Sequence, residues 1–251
     1  FTGVPDSLLK DFCAYITDNL RNESHVISSN EGSAVALAIG HYLSTETTPL
    51  VYMQNSGIGN SINPILSLAS REVYGIPLVL FIGWRGEPGV KDEPQHIHQG
   101  RITEQLLHLM DIPHTILSKD TKLAGKQISE YIDLAEETQG PVAILIRKDT
   151  FKEYKLPTIK DRQYELTREK AVKILVDHLD KSTIIVATTG MTSRELFDYR
   201  VATGQDHKQD FLTVGGMGHA NQIALGIAKT NNKVCCFDGD GAILMHMGSL
   251  A

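Results

Sequence analysis

The hydrophobic pattern of this chain alternates between two kinds of segment. Short apolar runs without a polar side, such as residues 77–82 and 141–146, are typical of strands that are buried on both faces. Longer segments between them carry apolar residues at helical spacing, as in Leu8, Phe12 and Ile16. Because parallel strands need helical crossovers, this alternation predicts an α/β protein with parallel sheets.

The predicted elements fill most of the chain. Strands are predicted at 25–30, 50–53, 77–83, 114–117, 141–146, 182–188, 211–214 and 234–237. Helices are predicted at 8–20, 32–43, 61–70, 101–110, 120–138, 167–178 and 193–201, with further helices ending at 228 and starting at 242. Residues 148–166 are charged and lack apolar periodicity, so we interpret them as a linker. The prediction is two doubly wound parallel-sheet domains, at 1–147 and 167–251.

Composition narrows the functional classes. The 251 residues are 41% hydrophobic and 22% charged, which allows a sizeable core. The net charge of -6 gives no reason to expect nucleic acid or an anionic membrane as a partner, and the apolar runs are too short to cross a bilayer. Three cysteines make neither a disulfide framework nor a zinc site, so we expect a reducing compartment, either the cytoplasm or an organelle matrix, and of these we predict the cytoplasm. Both ends look cut, which suggests a fragment with an incomplete second domain.

Three glycine-containing turns follow predicted strands of the second domain. They lie at Thr189-Gly190, at 215–219 and at 238–241, the last with the sequence Asp-Gly-Asp-Gly. In an open parallel sheet, ligands bind beyond the carboxyl ends of the strands, so the three turns are predicted to face one crevice. A strand that ends in such a turn and opens a helix binds anions, and a carboxylate beside a phosphate favours Mg²⁺. The alternative interpretation of 238–241 is a tight turn without a ligand.

A dinucleotide site is the competing interpretation of these turns. Residues 215–220 do not read G-x-G-x-x-G, and Cys235 and Cys236 stand where an acidic residue would hold the ribose. The sequence therefore argues against it.

The first domain offers polar groups at its own predicted strand ends. Asp6 follows the first segment, where it caps a helix or lies at the mouth of a site, and Glu31 opens a helix made of small residues. A glycine-rich turn at 54–60 contains Gly57 and Gly59. A polar loop is predicted at 84–100, with Arg85, Lys91 and His96 as its candidate binding residues.

Six segments carry a resemblance to a known family. Gly239-Asp240-Gly241 and the helix after it resemble the thiamine-diphosphate motif, in which Gly-Asp-Gly binds Mg²⁺ and diphosphate. Residues 3–7, 30–32, 52–60, 83–96, 188–196 and 239–248 are similar to the phosphonopyruvate decarboxylases, and the similarity covers essentially the whole chain. It implies a pyrimidine-binding first domain, a diphosphate-binding second domain, and thiamine diphosphate with Mg²⁺ as cofactors.

The resemblance also implies residue roles. Glu31 would hydrogen-bond N1′ of the aminopyrimidine, the Gly215 carbonyl would accept from the 4′-amino group, and Met217 would hold the cofactor bent, although Met217 could also be a core methionine. Asp240 would bind Mg²⁺. The remaining cofactor contacts would be Gly57, Gly59, Thr189, Gly190, Gly239, Gly241 and Ala242.

The implied reaction is decarboxylation of 3-phosphonopyruvate to phosphonoacetaldehyde. A phosphonate needs cationic partners, for which Arg85, Lys91 and His96 are the candidates, and Asp6 is the candidate for proton transfer. In the family, one site draws on two subunits, so we expect at least a homodimer with Glu31 and Asp240 of one site on different chains. The family's second metal ligand is an Asn beyond residue 251.

Three alternatives stay open at the sequence level. Sulfopyruvate decarboxylases use the same cofactor on a sulfonate. A carboligase of the acetolactate synthase type is less favoured, because its middle domain has no room in the predicted linker. An inactive cofactor-binding fragment is the non-enzyme alternative.

Overall fold

The computed structural model describes residues 1–21, 23–157 and 164–251. The chain divides into two compact units, Phe1–Thr158 and Ile159–Ala251. Part of the predicted linker, residues 158–163, lies outside the described residues. Its described beginning packs on the first unit, because the ring of Phe151 stacks on that of Phe12 at a centroid distance of 5.7 Å.

Six parallel strands form the sheet of the first unit. They are β1 (Thr2–Gly3), β2 (Val26–Ile27), β3 (Leu50–Gln54), β4 (Leu78–Gly83), β5 (His114–Ile116) and β6 (Pro141–Ile146), in the order β2-β1-β3-β4-β6-β5. The helices are α1 (Lys10–Asn19), α2 (Glu31–Thr45), α3 (Ile58–Pro64), α4 (Pro94–Leu109) and α5 (Thr121–Thr138). Short 3₁₀ turns at Ser7–Leu9 and Asn55–Gly57 precede α1 and α3.

Alternate residues of these strands enter two separate cores. Met53 and Leu80 pack with the helices α2, α3 and α4 on one face, and Tyr52, Phe81 and Ile144 pack with α1 and α5 on the other. Successive strand residues point to opposite faces of the sheet. Because helices cover both faces, every position of a central strand such as β4 is buried and must be apolar. This explains the continuous apolar runs in the sequence.

The second unit is smaller and repeats this plan. Its strands are β7 (Ile184–Ala187), β8 (Asp210–Leu212) and β9 (Val234–Phe237), all parallel in the order β8-β7-β9. Its helices are α6 (Arg168–His178), α7 (Met191–Ala202), α8 (Ala220–Ala228) and α9 (Asp240–Met245). Helices α6 and α7 cover one face of this sheet and α8 covers the other. The prediction of two parallel α/β sheets with helices on both faces is confirmed.

The order in which the chain adds strands reverses once near the start of each sheet. From β1 the chain moves outward to β2 and then crosses to β3, and from β7 it moves to β8 and then crosses to β9. A ligand crevice forms at such a reversal, beyond the carboxyl ends of the strands. The fold therefore makes a polar edge in each unit from the turns that follow its strands.

The predicted loop at 84–100 is wrong in its second half. Helix α4 starts at Pro94, where proline suits the first helical turn, so His96 lies on a helix. The glycines that suggested a loop serve close packing instead. A Cβ on Gly100 would lie 1.8 Å from the Gly86 carbonyl oxygen, and Gly86, at φ +68°, would meet the His96 carbonyl oxygen at 1.9 Å.

No helix within the ranges that the structure describes is both long enough and apolar enough to span a membrane.

Candidate functional site

A buried carboxylate lies at the start of α2. Glu31 is the first residue of this helix and is only 5% exposed, and the Asn30 side chain caps the helix by accepting from the Ser33 N–H at 2.8 Å. The Asn60 Nδ2 donates to Glu31 Oε2 at 2.8 Å. One carboxylate oxygen is thereby fixed, and Asn60 is a site residue that sequence reasoning missed, although it ends the family-like segment 52–60.

Gly57 makes room for this carboxylate. A Cβ at Gly57 would lie 2.5 Å from Glu31 Oε1, closer than any side-chain contact permits. A Cβ at Gly59 would meet nothing within 4 Å. Both glycines were predicted to contact the cofactor, but their surroundings differ. Gly57 makes room for the Glu31 side chain, whereas Gly59 borders open space.

Asp6 follows β1 and is 8% exposed. Its Oδ2 accepts from the Leu8 N–H at 2.9 Å, so it caps the 3₁₀ turn as one of the two predicted roles requires. A Cβ at Gly83 would lie 2.4 Å from the same oxygen. Burial raises the pKa of Asp6, and the Leu8 N–H and the Arg85 charge only partly oppose this. Asp6 is thus a cap and also a carboxyl group whose proton is held more tightly than usual.

Arg85 lies at the carboxyl end of β4 in a bidentate ion pair. Its Nε and Nη2 donate to the two Asp92 carboxylate oxygens at 2.8 and 2.5 Å, and its Nη1 donates to Ser7 Oγ at 2.6 Å. Asp92 also accepts from the N–H groups of Gly86 and Glu93, both at 2.8 Å. These bonds, with Arg85 first, hold the pKa of Asp92 well below its usual range. Three of the five guanidinium N–H groups are therefore engaged within the protein.

The other two predicted substrate residues take different positions. Lys91 lines a cavity of about 220 Å³ together with Arg85. His96 is half-buried on α4, and burial followed by the Arg85 charge lowers its pKa. His96 is not among the residues that line this cavity.

The structure brings together the three turns of the second unit. The Thr188 N–H donates to the Phe237 carbonyl at 2.8 Å, and Thr213 Oγ1 donates to the Ala187 carbonyl at 2.9 Å. A Cβ at Gly239 would contact the Thr188 methyl group at 3.6 Å, and one at Gly241 would approach the Met217 Cε at 3.2 Å. The turns after β7, β8 and β9 thus form one continuous edge, with Thr188 and Thr213 buried beneath it.

Gly190 opens α7 with a backbone that favours glycine. Its φ of +91° and ψ of −138° leave it as an exposed helix cap, next to Thr189, and a Cβ there would meet no atom within 4 Å. Ser193 Oγ donates to the Thr188 carbonyl at 2.7 Å, which anchors the turn from inside. The first N–H groups of α7 have no intrahelical acceptor, so they are available to an anion over this turn.

The turn 238–241 presents two carboxylates in different environments. Asp238 Oδ1 accepts from the Gly239 N–H at 2.9 Å, whereas its Oδ2 is buried and has no hydrogen-bond partner among the described residues. Asp240 is exposed, with Oδ1 accepting from the Gly241 N–H at 2.8 Å, and Ala242 behind it is buried. No group of three or more His, Cys, Asp and Glu residues suited to a metal occurs in the described part of the chain.

This donor set fits Mg²⁺ held together with a diphosphate. Mg²⁺ is typically bound by one or two carboxylates while phosphate oxygens and water complete its octahedron. Asp240 supplies an exposed carboxylate, and the backbone of the neighbouring turn is unobstructed at Gly190. The edge therefore offers one carboxylate and free backbone N–H groups, which are groups that Mg²⁺ and a diphosphate can use.

Met217 and Gly215 precede α8. Met217 is 39% exposed, so it does not belong to the core, contrary to one of its two predicted roles. It lies between Gly216 and Gly218, whose φ values are +66° and +88°. Gly215 is also exposed, and its carbonyl is placed in the same turn.

Comparisons with known proteins identify the family of the chain. The model of the thiamine pyrophosphate enzyme N-terminal TPP binding domain matches residues 1–107, and that of the C-terminal TPP binding domain matches residues 188–251. Phosphonopyruvate decarboxylases of Streptomyces viridochromogenes and Streptomyces hygroscopicus are 32% and 33% identical over 99% of this chain. The chain spans 64% of the length of each of these two relatives.

A shorter relative matches the first part of the chain. Sulfopyruvate decarboxylase subunit alpha of Methanococcus maripaludis is 37% identical over 58% of this chain and 83% of that subunit. Among solved structures, benzoylformate decarboxylase from Polynucleobacter necessarius matches 74% of this chain and 35% of that chain, at 18% identity and a TM-score of 0.43, which is too low to carry an argument. From the two domain matches and the identity to these relatives, the chain belongs to the thiamine pyrophosphate enzymes.

Proposed function

We propose that the protein decarboxylates 3-phosphonopyruvate to phosphonoacetaldehyde and CO₂ with thiamine diphosphate and Mg²⁺. The observation that carries this proposal is the Glu31 carboxylate, which is buried, held by Asn60 and accommodated by the missing side chain of Gly57. A carboxylate in a first helical turn usually stays exposed, where it favours the helix dipole. Its burial beside a glycine-rich turn indicates a specific ligand rather than a stabilising surface charge.

Glu31 is the group that we assign to the aminopyrimidine. Its Oε1, which makes no hydrogen bond to Asn60, would share a proton with ring nitrogen N1′ and so promote proton release at the opposite amino group. The Gly215 carbonyl would orient that amino group, and Met217 would support the bent conformation. The cofactor itself supplies the electron sink for decarboxylation.

The second unit would hold the diphosphate and its metal. Asp240 would be the carboxylate ligand of Mg²⁺, and the N–H groups at the turns of Gly190 and Gly241 would bind phosphate oxygens. Asp6, with its raised pKa, would hold a proton near the substrate and deliver it after CO₂ leaves.

We further propose a homo-oligomer in which Glu31 of one chain and Asp240 of another serve the same cofactor. Two observations support this oligomer: the chain belongs to the thiamine pyrophosphate enzymes, and the six segments resemble a family whose sites draw on two subunits. The localisation that we propose is the cytoplasm, from the three cysteines, none of which is in a disulfide.

Sulfopyruvate is the second candidate substrate. The 37% identity to the alpha subunit of a sulfopyruvate decarboxylase favours it, and a sulfonate differs from a phosphonate mainly in charge. The longer match, over 99% of the chain, is to phosphonopyruvate decarboxylases.

The test is CO₂ release from phosphonopyruvate, sulfopyruvate and pyruvate by the purified protein, with and without thiamine diphosphate and Mg²⁺. We expect turnover of phosphonopyruvate that needs both cofactors and that Glu31→Gln reduces by about 10²- to 10⁴-fold, the usual contribution of acid–base catalysis. Faster turnover of sulfopyruvate would replace the proposed substrate. No turnover of any 2-oxo acid would refute decarboxylation.

A further inference from the structure

The carboxyl ends of β4 and β6 lie side by side. These strands pair in parallel register with Gly83 opposite Ile146, and the Trp84 N–H donates to the Ile146 carbonyl at 2.9 Å. The chain therefore leaves both strands at the same edge. A cavity of about 220 Å³ lies there, and its lining includes Trp84, Lys91 and Lys148.

Both carboxylates of this cavity are neutralised by arginines. Asp92 is engaged by Arg85 through two charge-assisted hydrogen bonds. Glu87 pairs with Arg147 at 2.7 Å, and the Arg147 guanidinium lies 5.9 Å from the centroid of the Trp84 ring. The side chains of Asp92 and Glu87 are each only 14% exposed, whereas that of Arg147 is 44% exposed.

Two lysines remain without such partners. The side chains of Lys91 and Lys148 make no ion pair or hydrogen bond with any residue that the structure describes, and both line the cavity. The charged residues that line the cavity are Arg85, Lys91, Lys148, Asp92 and Glu87. Arg85 pairs with Asp92, and Glu87 pairs with Arg147, which lies outside the lining, so the two lysines are the cations of the lining that no ion pair engages. Two exposed ammonium groups beside a cavity of about 220 Å³ attract an anion.

We propose that Lys148, together with Lys91, binds the phosphonate group of the substrate. This inference rests on the proposed function and deepens it, because neither the sequence pattern nor the resemblance singled out Lys148. Arg85 then acts as a positioning residue, because its ion pair with Asp92 closes residues 85–92, which include Lys91, into a loop. A dianionic phosphonate carries a negative charge for each of the two lysines, whereas a sulfonate carries only one.

The single tryptophan of the chain allows a direct test. Trp84 lines the cavity, so its fluorescence reports binding there. We would titrate the purified protein with methylphosphonate as the dianion and with methanesulfonate, at constant ionic strength set with chloride, because exposed charges are screened by salt. The wild-type protein is expected to bind methylphosphonate saturably and methanesulfonate more weakly.

Substitutions test whether binding depends on these two lysines or only on the net charge of the protein. We expect Lys148→Gln and Lys91→Gln each to weaken methylphosphonate binding about tenfold, the effect of losing a charged hydrogen bond. Lys148→Arg keeps the charge and is expected to keep most of the affinity. Lys122→Gln removes an exposed lysine of α5, outside the cavity, and is expected to bind as the wild type does. Thermal unfolding of each variant shows that it is folded.

The outcomes distinguish this inference from the proposed function. Unchanged methylphosphonate affinity in Lys148→Gln, or an equal loss in Lys122→Gln, would overturn the inference even if the enzyme decarboxylates phosphonopyruvate. In an active enzyme, the expected pattern is a KM raised about tenfold with a smaller change in kcat. Saturable, Lys148-dependent binding without decarboxylation would support the anion site and refute the proposed reaction.

Discussion

The α-carbon of Gly57 and the carboxylate of Glu31 are so close that no side chain fits between them. A Cβ at position 57 would lie 2.5 Å from Glu31 Oε1 and 2.7 Å from its Cδ. Gly57 has an ordinary φ of −72°, so its lack of a side chain, and not its backbone freedom, is what the site requires. The contact joins the turn after β3 to the start of α2.

Gly57→Ala is therefore expected to displace the Glu31 carboxylate. A shift of this group by about 1 Å would lower kcat by about 10²-fold, and overpacking would lower the free energy of unfolding by about 1–3 kcal/mol. Steady-state decarboxylation and urea unfolding measure the two effects. Gly125→Ala is the control, since a Cβ on this exposed glycine of α5 would meet no atom within 4 Å. Full activity in Gly57→Ala would contradict the assigned role of the contact.

Asn60 is expected to tune Glu31 rather than to react. Asn60→Ala removes the hydrogen bond to Oε2 and is expected to lower kcat about tenfold. Asn60→Asp removes the same donor and places a second carboxylate beside the first, so it is expected to lower kcat at least as much as Asn60→Ala. Steady-state decarboxylation measures both effects. Full activity in both variants would contradict the assigned role of Asn60.

The ion pair of Arg85 and Asp92 is expected to stabilise the folded protein at neutral pH and to lose this effect at acidic pH. The pKa of Asp92 is lower in the folded state than its unfolded value of about 3.9. Its contribution is therefore fully present above that value and is lost as pH falls through the folded pKa. Asp92→Asn is expected to lower the free energy of unfolding by about 2 kcal/mol at neutral pH, from the lost charge-assisted hydrogen bonds.

Urea unfolding followed by Trp84 fluorescence at neutral and at acidic pH measures this effect. The difference between Asp92→Asn and wild type is expected to shrink at acidic pH. Asp133→Asn, on the exposed side of α5, is the control and is expected to differ little from wild type at either pH. A constant difference at both pH values would rule out the ion pair as its cause.

Gly190 is expected to tolerate no side chain, although space for one exists. Its φ of +91° and ψ of −138° lie in a region that is sparsely populated by other residues, and holding another residue there costs about 1–3 kcal/mol. Gly190→Ala is expected to lower the unfolding midpoint of the second unit and to weaken thiamine diphosphate binding. Gly226→Ala in α8, where the space is also open and φ is ordinary, is the comparison. Equal midpoints for the two variants would exclude backbone strain.

Mixing two inactive variants tests whether one site draws on two chains. We expect Glu31→Gln and Asp240→Ala each to be inactive alone and the mixed, reassociated sample to regain up to about a quarter of wild-type activity, from the statistics of pairing in a dimer. Activity is measured as CO₂ release after denaturation and joint refolding, with each variant refolded alone as the control. No recovery, with oligomers shown by light scattering, would place both residues in one chain's site.

The sequence alone determined the class of fold and the location of its polar edges. The strands β6 and β9 and the helices α5 and α6 were predicted at or within one residue of their observed limits. Apolar periodicity and helix caps are local signals, and Asp120 and Thr167 both cap their helices as predicted. The turns after the strands followed directly, because a parallel sheet places every carboxyl end at the same edge.

Only the tertiary structure decided which side chains meet at those edges. Glu31 and Asn60 are separated by 29 residues, and Arg85 and Ser7 by 78. These contacts depend on strand order and register, which no local pattern encodes. The same reason explains the error at 94–100, where glycine and proline indicated a loop but served a helix packed closely on Gly86. It also explains why the sequence did not identify Lys148 as a candidate binding residue. The sequence pattern assigned Lys148 to a linker, whereas the pairing of β4 with β6 brings it to the cavity that Trp84 and Lys91 line.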